Sequence, residues 1–305
     1  MSRADADRLA ARIADAIRGL GRRGAVLGLS GGVDSSVCTA LCARALGPEH
    51  VLALRMPERD SPDSGVATRL ADALGVRSPE EDITPALESL GCYRSRDAAI
   101  RAVFPDYAPD WRHKLVRSPP GGVTVFSLEV ERPDGTRERR RMPAEPYRAL
   151  IAATNLKQRV RKVVEYTWAD RLGYAVVGTA NLLEHDQGFF VKGGDGLADV
   201  KPLARLYKGE VYALARALGL PDEVTAAAPT TGTFSLEQTQ DEFYFGYPLP
   251  VMDRLIAGHD AGEEPAALAA DTGLDAAQVA VGYREIARRR DATRYLHAPA
   301  VVIDP

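Results

Sequence analysis

Apolar and polar residues along the chain follow two different periods. Residues 1–21 place Leu9, Ile13, Ala16, Ile17 and Leu20 among charges at helical spacing, which predicts an amphipathic helix closed by glycine. AVLGLS (25–30) is then continuously apolar and of strand length, and SSVCTALCARALG (35–47) is a helix stopped by Gly47 and Pro48. VLALRM (51–56) predicts a second strand and PDSGVATRLADALGV (62–76) a second helix. Strands alternating with helices predict an α/β fold, a doubly wound parallel sheet covered on both faces. The right-handed crossover rule places both strands in one sheet.

The pattern changes between about 92 and 145. GGVTVFSLEVERPDGTRERRRM alternates in the strand period, breaks at Pro-Asp-Gly and resumes as a polar strand, which predicts a β-hairpin. It follows the irregular stretch FPDYAPDWRHK and interrupts the strand–helix alternation as an insertion. Its Arg137, Arg139, Arg140 and Arg141 have the charge to meet phosphate, but the simpler reading is a solvated strand edge. A long helical pattern returns from about 144 to 172. YAVVGTAN (174–181) reads as strand-to-loop, LYKGEVYALARALGLP (206–221) as a helix, and the chain from about 248 as mainly helical. With no repeats or low-complexity linkers, residues 1–305 read as one domain with an insertion at about 92–145.

Composition narrows the function classes. A formal charge of −3 over 305 residues lacks the basic excess of a dedicated nucleic-acid binder. Cys38 and Cys42 fall in one predicted helix and Cys92 stands alone, so the cysteines suit buried hydrophobes better than a metal cluster or disulfide framework. No apolar run approaches the ~18 residues of a membrane span. The N-terminus lacks the apolar centre of a signal peptide, so a cytoplasmic protein with no nucleic-acid or membrane partner is expected.

The chemistry concentrates in VLGLSGGVDSS (26–36). A strand that runs through a glycine-rich turn into a helix start exposes converging backbone N–H groups and the positive end of the helix dipole, a cradle for phosphate. A Walker A loop would need a Gly-Lys-Ser/Thr, and a dinucleotide loop a different spacing from that of Gly28, Gly31 and Gly32. A merely structural tight turn explains two small residues but not Asp34 between a glycine pair and Ser35 and Ser36. Ser30, Gly31, Gly32, Val33, Asp34 and Ser35 spell S-G-G-x-D-S, which resembles the pyrophosphate loop of the ATP pyrophosphatases. That resemblance implies an adenine nucleotide α-hydrolase-like, Rossmann-like fold. It also implies ATP binding by Gly28, Leu29, Ser30, Gly31, Gly32, Val33, Asp34 and Ser35, with Asp34 holding Mg²⁺.

A second block, GTANLLEHDQGFFVKGGDGLADVKPLARLYKG (178–209), is similar to that of ammonia-dependent NAD synthetases: a GT, a glutamate five residues on, GFF-x-K, GDG, a later aspartate, and a lysine. By this resemblance Thr179 contacts ATP, Glu184 shares magnesium with Asp34, Lys192 and Asp199 face the dinucleotide, and Lys208 reaches the ATP phosphates. NLKQRVR (155–161) matches the N-x-x-x-R-x-R of that family and makes Arg159 a substrate contact, with Asn155 on the same helix face. APTTG (228–232) makes Thr230 an ATP contact, and DEFYFGY (241–247) resembles a further segment of the family. Arg59 is an adenine-side candidate. The family's C-terminal His-Lys pair has no match in DATRYLHAPAVV, where Arg294 or His297 would have to substitute.

The resemblance implies two steps. A carboxylate of deamido-NAD attacks the α-phosphorus of ATP and releases pyrophosphate, and ammonia then converts the acyl-adenylate to NAD and AMP. Asp34, Glu184 and Lys208 are the expected catalytic residues, Mg²⁺ and ATP the expected cofactor and co-substrate, and a homodimer the expected assembly. None of the cysteines has a nucleophile's setting, so free ammonia or a separate glutaminase partner is implied. Two alternatives stay open at this point: an amide ligase of the same fold acting on a different carboxylate or amine, and a non-catalytic nucleotide sensor, which would not need both Asp34 and Glu184.

Overall fold

The computed structural model describes residues 1–61, 65–227, 229 and 232–303. Its elements in chain order begin with α1 (Arg3–Gly19), β1 (Ala25–Gly28), α2 (Val33–Leu46), β2 (Val51–Leu54), α3 (Val66–Leu74), α4 (Thr84–Ser89) and α5 (Cys92–Arg101). A three-stranded unit follows, β3 (Arg112–Arg117), β4 (Phe126–Glu131) and β5 (Arg137–Arg141). The chain then forms α6 (Ala144–Leu172), β6 (Ala175–Val176), α7 (Leu182–Asp186), α8 (Lys208–Ala217) and α9 (Asp222–Thr225). After a π-helical turn at Asp241–Phe245 come α10 (Leu249–Ala261), α11 (Pro265–Thr272) and α12 (Ala276–His297). Ser2 caps α1 through a reciprocal capping box with Asp5, and the helix buries Ile13 and Ile17 as its apolar spacing predicts, together with Ala6, Ala10 and Ala14, while Ala16 and Leu20 are exposed.

The main sheet has the order β2-β1-β6, all parallel. Bridges Leu52–Arg77 and Arg55–Glu80 extend it beyond β2, and Val177–Val200 extends it beyond β6. Successive strand residues face opposite layers. Ala25 and Leu27 pack in a core with Ile13, Val37, Leu41, Leu70 and Leu214 from α1, α2, α3 and α8. Val26, Leu54 and Val176 pack on the other face with Leu87, Tyr93 and Val160 from α4, α5 and α6. The sheet is therefore doubly wound, as the alternation predicts. Its strand order reverses between β1 and β6, and the crevice beyond the carboxyl ends at such a reversal is where open α/β sheets bind ligands.

The three-stranded unit is larger than the predicted hairpin. β4 and β5 form the predicted antiparallel pair, turning at Asp134-Gly135, where Gly135 has φ +84°. A third strand, β3, pairs antiparallel with the other edge of β4. The sequence RHKLVR hides this strand because its polar letters suggest a surface segment. In the fold every one of its residues except Arg112 is buried, and its charges are satisfied by Glu242 and Glu285 brought from far along the chain. Two arginines of β5 pair across the sheet with β4, Arg139 with Glu129 and Arg137 with Glu131 at 2.6 Å, and Arg140 pairs with Glu138 two residues back on its own strand. No helix among the described residues is long and apolar enough to cross a membrane.

Candidate active site

β1 ends at Gly28, where a Cβ would lie 3.1 Å from Met56 Cε and 3.4 Å from Glu165 Oε1, a tight fit in which the Met56 side chain would have to give way. Leu29 stays buried and donates its N–H to Leu54 O at 2.8 Å. The chain then turns at Gly31, with φ +83°, a conformation that disfavours any residue with a Cβ. The serines close the loop on itself: Ser30 Oγ lies 3.1 Å from Ser35 Oγ and accepts from Gly32 N at 3.3 Å. Ser35 and Ser36 donate to Gly32 O at 3.0 and 2.8 Å. Gly32 is the N-cap of α2 and no side chain caps that helix. Its first turn thus presents backbone donors and the positive dipole end to the crevice, beside the buried Val33.

Asp34 stands in that first turn. Its Oδ1 accepts from Asn181 Nδ2 at 3.1 Å, and its Oδ2 pairs with Lys208 Nζ. Lys208 opens α8, whose first N–H groups are capped by Asp253 at 3.2 and 2.9 Å. The ammonium is almost wholly buried; desolvation works against its charge, but Asp34 and Glu184 hold its pKa above the ordinary lysine value. Glu184 is the third residue of α7 and forms a capping box with Asn181, accepting Asn181 N at 3.2 Å while its own N–H donates to Asn181 Oδ1 at 3.1 Å. Burial, and next the charge of Asp34, push the Glu184 carboxyl up to about 7. Gln240, just before the π-helical turn, donates to Glu184 Oε1 at 2.8 Å.

The structure thus brings together Asp34, Glu184 and Lys208, contributed by α2, α7 and α8. Thr179 lies half-buried in the loop after β6, two residues before Asn181, at the same end of the sheet. The substrate-side group is placed separately. Arg159 is exposed on α6 and donates to Lys192 O at 3.3 Å. Lys192 in turn donates to Tyr295 O and Ala298 O at 2.7 and 3.0 Å, tying this pair to the end of α12. Asp199 accepts from Val176 N at 2.8 Å and from Tyr166 Oη at 3.1 Å, so its carboxylate braces β6. Thr230 lies outside the described residues. Arg59 pairs with Glu88 and stacks over Tyr93 at 4.2 Å. His297 packs edge-on to His185 at 4.8 Å and to Phe190 at 5.0 Å, whereas Arg294 pairs with Asp291 at the surface.

Sequence reasoning missed Asn181 and Gln240, the two amides that hold the carboxylates. Asn181 was detectable, since Asn-x-x-Glu after a strand is a capping-box spacing. Gln240 carries no local signal; its partner is 56 positions away in the chain. Among the described residues no group of three or more His, Cys, Asp or Glu side chains forms a metal cage. Asp34 and Glu184 nevertheless fit a hard dication of the kind that takes a few carboxylates and completes its shell with phosphate oxygens. They are hard oxygen donors, both bound to Asn181, and share a buried lysine ammonium that already marks the place as one needing positive charge.

Comparison with known proteins places the chain in a family. The family model described as NAD synthase matches residues 6–101 and 128–297. The chain belongs to the NAD synthase family. It is 50% identical over 307 residues to the NH(3)-dependent NAD(+) synthetase of Rhizobium meliloti, covering 99% of this chain and 92% of that protein. In fold it is similar to an NMN synthetase structure from Francisella tularensis, with a TM-score of 0.68 at 21% identity over 100% of this chain and 99% of that one. It is also similar to the NH3-dependent NAD synthetase of Campylobacter jejuni, with a TM-score of 0.65 at 20% identity over the whole of both chains. These neighbours share the α/β, adenine nucleotide α-hydrolase-like architecture. The family match omits residues 102–127, which contain β3.

Proposed function

We propose that this NAD synthase family member is an ATP-dependent carbon–nitrogen ligase that adenylates the nicotinate carboxylate of deamido-NAD and amidates it with ammonia, giving NAD, AMP and pyrophosphate. The observation that carries the reading is the convergence of Asp34, Glu184 and Lys208 beside the uncapped, glycine-rich start of α2, at the reversal of the strand order. A simple nucleotide sensor has no use for two half-buried carboxylates at that place.

The loop from Gly28 to Ser35 supplies backbone donors to the β- and γ-phosphates and holds them while charge develops on the departing pyrophosphate. Lys208 contributes a buried positive charge facing the same phosphates, worth more there than in water because the surroundings are poorly polarisable. Asp34 and Glu184 would hold Mg²⁺, which when bound neutralises phosphate charge and fixes phosphate geometry. Thr179 and Thr230 complete the ATP contacts in this reading, and Arg159, Lys192 and Asp199 orient the dinucleotide. No protein nucleophile is required: the substrate carboxylate attacks the α-phosphorus directly, and the rate comes from positioning and electrostatics. Ammonia arrives free or from a separate glutaminase. We place the enzyme in the cytoplasm as a homodimer, as one domain interrupted at about 92–145.

The test is a mass-spectrometric assay of the purified protein with Mg-ATP, ammonium and deamido-NAD, following AMP and NAD together. Equal yields that vanish in Asp34→Ala are expected. ATP consumption without NAD would overturn the substrate assignment.

A further inference from the structure

One edge of β3 pairs with β4, and the other edge lies against residues 235–245, the segment that leads into and through the π-helical turn. His113 N donates to Ser235 Oγ at 2.9 Å, Leu236 N donates to His113 O at 3.1 Å, and Gln238 Nε2 donates to Leu115 O. Further along, Lys114 pairs with Glu242 at 2.8 Å. Arg117 then reaches into the turn itself, donating to Tyr244 O at 2.9 Å and Phe245 O at 2.7 Å and bonding Glu285 of α12 at 3.2 Å. Gly246 permits this approach: a Cβ there would collide with the Arg117 guanidinium. Arg289 of α12 donates to the same two carbonyls.

A π-helical turn is a poor local structure that persists where its surroundings enforce it, and such turns recur at functional sites. Here the enforcement comes from β3 on one side and α12 on the other. The residue that enters the turn is Gln240, buried and bonded to Glu184 Oε1 at 2.8 Å. A continuous set of contacts therefore runs from an inserted strand to a carboxylate of the active site. β3 lies wholly inside residues 102–127, the stretch the family model leaves unmatched, so this support belongs to the insertion.

We infer that β3 positions the active-site carboxylate Glu184: Arg117 and the β3 edge fix residues 235–245, and Gln240 carries that placement to Glu184. Arg117 is thus a positioning residue, remote from substrate. The inference rests on the reading of Glu184 as a magnesium-binding carboxylate. The outer partners of metal-bound carboxylates orient them, and losing one such partner typically weakens metal binding ~10–100-fold.

The experiment is a double-mutant cycle on Mn²⁺ binding to the full-length protein in the presence of a non-hydrolysable ATP analogue, read by electron paramagnetic resonance. Gln240→Ala should weaken Mn²⁺ binding about tenfold. Arg117→Ala, and the milder Ser235→Ala, should weaken it about threefold. Arg117→Ala combined with Gln240→Ala should be no weaker than Gln240→Ala alone, because the two act through one path. Single variants without effect, or fully additive ones, would overturn the inference. Glu184→Gln is the control for the underlying reading. If it leaves Mn²⁺ binding unchanged, that reading fails, and amide hydrogen exchange judges the positioning role. Faster exchange across 239–246 and at α7 in Ser235→Ala would sustain it, and a change confined to β3 would reject it.

Discussion

Replacing His113 by Asn should make folding stability less sensitive to acid. The imidazole is fully enclosed, with Nδ1 3.1 Å from Ser235 Oγ and its ring edge-on to Tyr107 at 6.2 Å and Phe234 at 6.0 Å. Burial, and next the charge of Arg96, push its pKa down to about 3, with Lys157 acting in the same direction and Asp60 opposing. In the unfolded chain the same side chain titrates near its ordinary 6.5. As pH falls below that value the unfolded state takes up a proton that the folded state refuses. The stabilisation present above 6.5 is therefore lost progressively down to about 3. At ~1.4 kcal/mol per pH unit, this one residue removes about 2 kcal/mol at pH 5. For a chain of this size that corresponds to a fall of roughly 3 °C in melting temperature. Urea titrations of both proteins at pH 7.5 and pH 5 isolate the effect, because the other titrating groups cancel in the double difference. His113→Asn should be the less stable protein at pH 7.5 and recover about 2 kcal/mol relative to the parent at pH 5. Parallel pH dependences would refute the reasoning.

Gly31→Ala forces a Cβ to 3.1 Å from Val66 in a left-handed backbone conformation, so it should cost about 1–2 kcal/mol in a thermal melt and weaken ATP binding measured by calorimetry. Asn181→Ala removes both the α7 cap and the hydrogen bond to Asp34. It should lower stability by about 1 kcal/mol and raise the Mg²⁺ concentration needed for half-maximal AMP formation about tenfold. Cys38, Cys42 and Cys92 are buried, with burial pushing the Cys42 thiol up to about 12. A thiol reagent at pH 8 should therefore react with none of them until denaturant is added, and rapid labelling of the native protein would contradict this environment.

The parts of the fold legible in sequence are those governed by local rules. The run AVLGLS had to be a buried strand, and the glycines and serines that follow it allow only a turn into a helix start. Asp34 stood out because a carboxylate between a glycine pair and two serines has few structural reasons to be there, whereas Glu184 was reached only through the family resemblance of residues 178–209. β3 was not legible, since a strand whose charges are neutralised by Glu242 and Glu285 looks polar until the tertiary partners are known. Gln240 was invisible for the same reason. Asp199 carries a structural part the motif does not announce: its carboxylate accepts Val176 N and so braces β6.

The most direct test of the central claim is an isotope transfer. Deamido-NAD labelled with ¹⁸O in both oxygens of its nicotinate carboxylate would be incubated with the enzyme, Mg-ATP and ammonium, and the products weighed by mass spectrometry. Attack of that carboxylate on the α-phosphorus, followed by displacement by ammonia, leaves one labelled oxygen in AMP and one in the amide of NAD. Unlabelled AMP, or label recovered in phosphate or pyrophosphate, would contradict adenylation and with it the role assigned to the Asp34–Glu184–Lys208 site.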